Sequence, residues 1–199
     1  MSTKTRILET SLAMFNQLGS GNITSLDIAA ELEISPGNLY YHFKGKEEII
    51  ARLSKECELA IGKLLGRLDM ELISEREYWV FLKSLLTVCL HYRFLFMDFQ
   101  SFEAGGVGQK GSQRLLNQLR RFTDGSLTAL MDKGLLEIKG NAKSELSENL
   151  FLLGLSWLCF EANQAQVQDE QELVEKGAHR LISLVEPHLS RRLQLADND

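Results

Sequence analysis

Strand-like alternation is nearly absent from this chain of 199 residues, and proline occurs only twice. With so little period-two patterning and so few helix breakers, the expected fold class is all-α. Cysteine is scarce and odd in number: Cys57, Cys89 and Cys159 lie far apart, each within an apolar helical pattern and none in CxxC spacing. That excludes a disulfide framework and a cysteine zinc site, and the three read as reduced core residues. Cys89 and His91 look like a ligand pair in writing, but two residues apart on a helix they diverge by about 200°. No metal or other cofactor is expected. No apolar run reaches the roughly 18 residues that a membrane span needs. The N-terminal stretch MSTKTRILETSLAMF lacks a signal-peptide core, because Glu9, Thr10 and Ser11 cut into it. Cytoplasmic residence with no membrane partner is the expectation.

What is present is most specific between Thr24 and Lys46, TSLDIAAELEISPGNLYYHFKGK. Two short helical patterns stand there, joined by a turn. In the first, Leu26 to Leu32, helical spacing puts Ile28, Ala29 and Leu32 on one side. Thr24 and Ser25 can cap it. Ser35 caps the second and Pro36 suits its first position, because Ser Oγ accepts an unpaired first-turn N–H and proline has none to leave unpaired. That second helix ends near Phe43, anchored inward by Leu39 and Phe43. Gly37, Asn38, Tyr40, Tyr41 and His42 are left at or near the surface, with one of the two tyrosines expected to lean inward.

Around this core a helix is expected over Lys4 to Leu18, its stripe formed by Ile7, Leu8, Ser11, Leu12, Phe15 and Leu18 and its end set by Gly19. A fourth helix, Lys46 to about Asp69, keeps Ile49, Leu53, Cys57, Ile61, Leu64 and Leu68 on one face. Gly62 and Gly66 within it each cost about 1 kcal/mol against alanine and mark a bend. More apolar helices are expected over Glu75 to Phe99 and Ser112 to Lys133, separated by a glycine-rich break from Gly105 to Gly111. A last pair spans Ser144 to Val167 and Glu170 to about Leu195. The division expected is a helix-turn-helix domain over 1–48, the fourth helix as connector over about 46–69, and a larger helical domain over 70–199.

The phrase Ile34-Ser35-Pro36-Gly37-Asn38-Leu39-Tyr40-Tyr41-His42-Phe43, followed by Lys44, Gly45, Lys46 and Glu47, resembles the recognition helix and fourth-helix start of the TetR family of bacterial transcriptional regulators. The likeness of motif covers about residues 7 to 55. A second stretch, His91-Tyr92-Arg93-Phe94-Leu95-Phe96-Met97-Asp98, resembles one found in a repressor subgroup. The resemblance implies a three-helix DNA-binding domain, a helical C-terminal domain for effector binding and dimerisation, and a ligand-responsive repressor that binds a palindromic operator as a homodimer. In a helix-turn-helix the second helix enters the major groove. The implied base readers are Pro36, Gly37, Asn38 and Tyr40, and the implied phosphate contacts Thr24, Ser25, Tyr41, His42 and Lys46. Many members carry glycine where this chain has Glu33, and a left-handed glutamate costs about 1–2 kcal/mol.

The same reading places the dimer surface on the last two helices, with Leu150, Leu153, Trp157, Gly177, Leu181 and Leu184. A small, mostly apolar effector would meet Trp79, Phe122, Phe151 and Trp157. Charge runs against a strongly basic DNA-binding face. Residues 1–50 hold Lys4, Arg6, Lys44 and Lys46 against Glu9, Asp27, Glu31, Glu33, Glu47 and Glu48, a net of −2. Sparse phosphate contact and a shallow salt dependence are therefore expected.

Two other classes compete. Gly106 to Gly111 satisfies GxGxxG, but the dinucleotide fingerprint needs a preceding buried strand and a βαβ unit, and no parallel-sheet pattern occurs. The four histidines have no serine or cysteine beside them in a nucleophile setting, so no enzyme is expected. A helical protein-interaction module without DNA binding is the remaining alternative.

Overall fold

The computed structural model describes residues 2–67, 74–97, 109–164 and 169–190. Among them the regular secondary structure is helical, with one isolated antiparallel bridge between Leu136 and Leu189. The helices are α1 (Thr3–Leu18), α2 (Ser25–Glu31), α3 (Pro36–His42), α4 (Lys46–Leu65), α5 (Glu75–His91), α6 (Phe94–Met97), α7 (Gln109–Asp132), α8 (Ala142–Gln164) and α9 (Glu170–Val185). Contacts divide them into two compact units, residues 1–60 with 91–115 and residues 61–90 with 116–199.

The first unit forms as its caps dictate. Ser2 Oγ accepts the Thr5 N–H at the start of α1, and Gly19, with φ 79°, closes it by donating its N–H to the Phe15 carbonyl. Ile7, Ser11, Leu12 and Phe15 are buried as the stripe predicts, whereas Leu18 lies at the exposed end. In α4, Ile49, Leu53 and Cys57 continue the inward face. Burial pushes the Cys57 thiol up to about 12, with the Glu58 carboxylate adding to the shift, so this sulfur is held as an inert thiol. α4 stops at Leu65, so Gly66 follows the helix instead of interrupting it. The predicted stretch to Asp69 lies outside the described residues from 68 onward.

α5 ends at His91, short of the predicted Phe99, and the reason is a side chain far away in sequence. Asn16 Nδ2 donates to the His91 carbonyl at 2.9 Å, while the Phe94 N–H donates to Asn16 Oδ1 at 3.1 Å. One amide thus closes the end of α5 and opens α6. Arg93 Nε donates to the Asn16 carbonyl at 3.3 Å, and the Phe15 and Phe94 rings pack 5.2 Å apart beneath it.

α7 starts at Gln109, three residues before the expected Ser112, so the last residues of the GxGxxG match are helical; Gly105 to Gly108 lie outside the described residues. α8 is apolar nearly all round. Leu146, Leu150, Phe151, Trp157 and Leu158 are buried, yet Leu152 and Phe160 are 49% and 61% exposed. The predicted end at Val167 falls outside the described residues. α9 stops at Val185 instead of about Leu195, because Pro187 lacks the N–H that would continue it. The chain then turns extended. The Glu137 N–H donates to the His188 carbonyl and the Ser190 N–H to the Leu135 carbonyl.

Candidate nucleic-acid interface

The face presented by α2 and α3 is built from local rules. Thr24 and Asp27 form a capping box. Thr24 Oγ1 accepts the Asp27 N–H at 3.2 Å, and Asp27 Oδ2 accepts the Thr24 N–H at 2.8 Å. The Thr24 hydroxyl proton also goes to Asp27 Oδ2, at 2.7 Å. These bonds, first from the Thr24 side chain and then from its backbone, lower the Asp27 pKa below its usual 3.8. Both donors of Thr24 are therefore occupied and a carboxylate stands beside them. Ser25 is half-buried at the first helical position.

α2 closes through Glu33, whose φ is 54°. Its N–H donates to the Ala30 carbonyl and the Ile34 N–H donates to the Ala29 carbonyl, both at 3.0 Å. This is the Schellman arrangement, with glutamate where glycine is usual. The turn is thus left-handed despite its Cβ.

α3 starts as its sequence predicts, with Ser35 Oγ accepting the Asn38 N–H at 3.2 Å and Pro36 at the first position. Leu39 and Phe43 are fully buried. Four residues apart, they fill the inner side of a seven-residue helix, and neither tyrosine leans inward: Tyr40 is 49% exposed and Tyr41 85%. Pro36, Gly37 and Asn38 are exposed with them. A Cβ built on Gly37 would meet only Ser35 Oγ, at 3.9 Å, so the fold does not require glycine there. His42, half-buried, sets its ring edge-on to Tyr41 at 5.1 Å. Lys46 donates from Nζ to the Ser20 carbonyl at 2.8 Å, tying the start of α4 to the turn after α1. Lys4 Nζ lies 5.4 Å from the Phe43 ring centre.

A cavity lies within the second unit among α5, α7, α8 and α9. It contains about 590 Å³ of space free of atoms, its open mouth included. Of the residues expected to meet an effector, Phe122 and Phe151 line it. Trp79 and Trp157 do not. Trp79 instead meets the His179 ring at 5.0 Å with Lys83 Nζ 5.5 Å from its own ring centre, and Trp157 lies under the Arg180 guanidinium at 4.9 Å. The lining missed by sequence reasoning includes Tyr78 and Cys89 of α5, whose helical spacing was visible but whose facing partners were not. Leu150 and Leu181, expected at a dimer surface, line this cavity too. Trp157 and Gly177, from the same set, are buried against each other; Leu153 and Leu184 are half-buried. The chain's own packing consumes most of that predicted surface.

Among the described residues, no group of three or more histidine, cysteine, aspartate or glutamate side chains is arranged to hold a metal, and no helix is long and apolar enough to cross a membrane.

Comparison with known proteins places this geometry. Residues 7–53 match the family model for bacterial regulatory proteins of the tetR family, and residues 58–195 match that of a bacterial transcriptional repressor, TetR. The structure of a TetR-family transcriptional regulator from Marinobacter aquaeolei VT8 is 30% identical, with a TM-score of 0.79 over 96% of this chain and 92% of that one. The ketosteroid transcriptional regulator KstR2 of Mycobacterium tuberculosis shares the fold, with a TM-score of 0.68 at 16% identity over 96% of each chain. A curated relative, the uncharacterized HTH-type transcriptional regulator YerO of Bacillus subtilis (strain 168), is 40% identical over 65 residues, which are 33% of this chain and 22% of that protein's length. The two family models together with the Marinobacter structure establish that the chain belongs to the TetR family of bacterial transcriptional regulators.

Proposed function

We propose that this regulator binds an operator in duplex DNA as a homodimer, with α3 in the major groove, and is released by a small, mostly apolar effector taken up by the cavity of its second unit. The observation that carries the DNA reading is the division of labour within α3. Leu39 and Phe43 satisfy the core alone, which leaves two exposed tyrosines and an exposed Asn38 with no folding role. Gly37 supports it, since a side chain would fit there in the free protein and its absence matters only if something approaches closely. Asn38 would pair with a base edge and Tyr40 would cover a thymine methyl, while Pro36 and Gly37 allow the approach. Ser25, Tyr41, His42 and Lys46 would position phosphates, the last only through protons not given to the Ser20 carbonyl.

One short helix reads only a few base pairs, so two copies are needed. The dimer surface that suits the packing is the α8 stripe of Leu152, Ser156 and Phe160, which the chain itself leaves exposed, with Leu153 and Leu184 at its margin. Effector release requires that the ligand bind the non-DNA state more tightly.

The test is a band shift on the DNA upstream of the chain's own coding region. Asn38→Ala and Tyr40→Ala should each weaken binding by about 10- to 100-fold, the equivalent of about 1–3 kcal/mol, and relax specificity at one position per half-site. Tyr41→Ala should weaken binding to all sequences alike. Unchanged shifts for all three would leave a helical protein-interaction module as the better reading.

A further inference from the structure

The cavity described above carries a statement about ligand chemistry. Among the described residues, none of the fourteen that line it is Asp, Glu, Lys, Arg or His. Arg120 lies against one lining ring, its guanidinium 4.6 Å from the Phe151 ring centre. Arg120 is half exposed and already paired with Glu148 at 3.0 Å, so its charge is answered before any ligand arrives. An ionised ligand would enter without a counter-charge, and burying an unpaired charge is among the costliest steps in recognition.

The polar atoms of the lining differ in how well they are satisfied. The Thr123 hydroxyl donates to the Leu119 carbonyl at 2.9 Å. Tyr78 is less well served. Its phenol oxygen lies 3.5 Å from Ser126 Oγ, and Ser126 spends its own proton on the Thr123 carbonyl at 3.0 Å. Ser126 is therefore the acceptor and Tyr78 the donor, in a bond far longer than the roughly 2.7–2.8 Å usual between hydroxyl groups. A ligand oxygen at the ordinary distance would give this buried phenol a better partner than it has within the chain.

We infer that the effector is an uncharged, predominantly hydrocarbon molecule with one hydrogen-bond-accepting oxygen that takes the Tyr78 proton. This deepens the effector reading above and rests on it. It excludes carboxylates and ammonium compounds as primary ligands and gives the site one directional contact in an otherwise apolar lining.

The experiment uses the full chain and four matched probes in isothermal titration at pH 7: 1-naphthol, 1-methylnaphthalene, 1-naphthoate and 1-naphthylmethylammonium. The expected order is 1-naphthol tightest, 1-methylnaphthalene about tenfold weaker, and both ions at least 30-fold weaker than the naphthol. Tyr78→Phe should reduce the naphthol preference over methylnaphthalene to within threefold. Leu85→Trp and Leu155→Trp, two half-buried lining positions tested separately, should each abolish uptake and so locate it. An ion bound within threefold of 1-naphthol, or a preference unmoved by Tyr78→Phe, would overturn the inference. No uptake sensitive to the tryptophan variants would overturn it as well. A band shift on the same preparation separates the two levels of the argument. Operator binding by a chain that takes up no probe refutes the cavity assignment alone, whereas naphthol uptake by a chain that shifts no DNA refutes the operator reading and leaves the ligand chemistry standing.

Discussion

Glu33→Gly isolates the one strained non-glycine backbone position among the described residues. With φ at 54°, Glu33 holds a side chain where L residues pay about 1–2 kcal/mol. The strain is imposed by its neighbours: the Glu33 N–H to Ala30 and the Ile34 N–H to Ala29, both 3.0 Å, close α2 only if residue 33 turns left-handed. Glycine removes that cost but adds about 0.5–1 kcal/mol of backbone freedom that folding must suppress. The difference leaves Glu33→Gly more stable by about 0.5–1 kcal/mol, a rise in Tm of roughly 2 °C for a chain of this size. Glu33→Ala is the control, since it removes the same exposed carboxylate and keeps the Cβ; it should stay within about 0.5 kcal/mol of the parent. Urea unfolding followed by far-ultraviolet circular dichroism reads both, at one fixed protein concentration because association would shift the midpoint. Equal stabilisation by alanine and glycine would assign the effect to charge and refute the backbone argument. Destabilisation by glycine would refute the left-handed turn itself.

Two further perturbations test packing and capping. A Cβ on Gly177 would fall 2.5 Å from Trp157 Nε1 and 2.8 Å from its Cδ1, so Gly177→Ala should cost about 1–3 kcal/mol in urea unfolding; adding Trp157→Phe should recover a large part of it, and additive losses in that double-mutant cycle would show the contact is not the cause. Asn16→Ala leaves both the His91 carbonyl and the Phe94 N–H without their partner and should cost about 1–2 kcal/mol, with faster hydrogen exchange at the Phe94 amide; Asn16→Asp keeps an acceptor for Phe94 and should restore that amide's protection alone, while an unchanged exchange rate in Asn16→Ala would contradict the clamp.

The parts of the fold that were legible in the sequence are those decided within a few residues. Gly19, Thr24, Ser35 and Pro36 bound α1, α2 and α3 through bonds to residues three or four positions away, so a linear reading finds them. The end of α5 was not legible, because Asn16 sets it from 75 residues away and His91-Tyr92-Arg93 contains no glycine or proline to mark a stop. Trp79 and Trp157 were expected at a ligand site as part of the apolar excess of the middle helices, and the facing helix decides where a ring goes: theirs pack against His179 and beneath Arg180. Helical spacing put Leu150, Gly177 and Leu181 on one apolar face, expected at a dimer surface. Spacing does not say whose interior that face meets, and here it is the chain's own. In α3 the spacing was sufficient, but its consequence was underestimated: once Leu39 and Phe43 fill the inner side, no room is left for either tyrosine.

Acidic charge in the first unit takes on a different meaning once its bonds are known. Two of the six carboxylates in residues 1–50 are committed to backbone N–H groups, Asp27 to Thr24 and Glu48 to Lys44 at 2.7 Å. They contribute to helix starts, and the macrodipole at those starts favours a negative side chain. A phosphate approaching the same ends would compete with them, because the cap already supplies the negative group that the first turn accepts. On the proposed reading, backbone contact therefore shifts away from Thr24 toward Ser25, Tyr41, His42 and Lys46, with the other cations of the unit, Lys4, Arg6 and Lys44, lying outside α2 and α3 altogether. So few phosphate neutralisations imply a small counterion release per subunit and a correspondingly shallow salt slope. Affinity must then rest more on aromatic and amide contacts from Asn38, Tyr40 and Tyr41, which is why their alanine variants should separate this interface from a merely charged one.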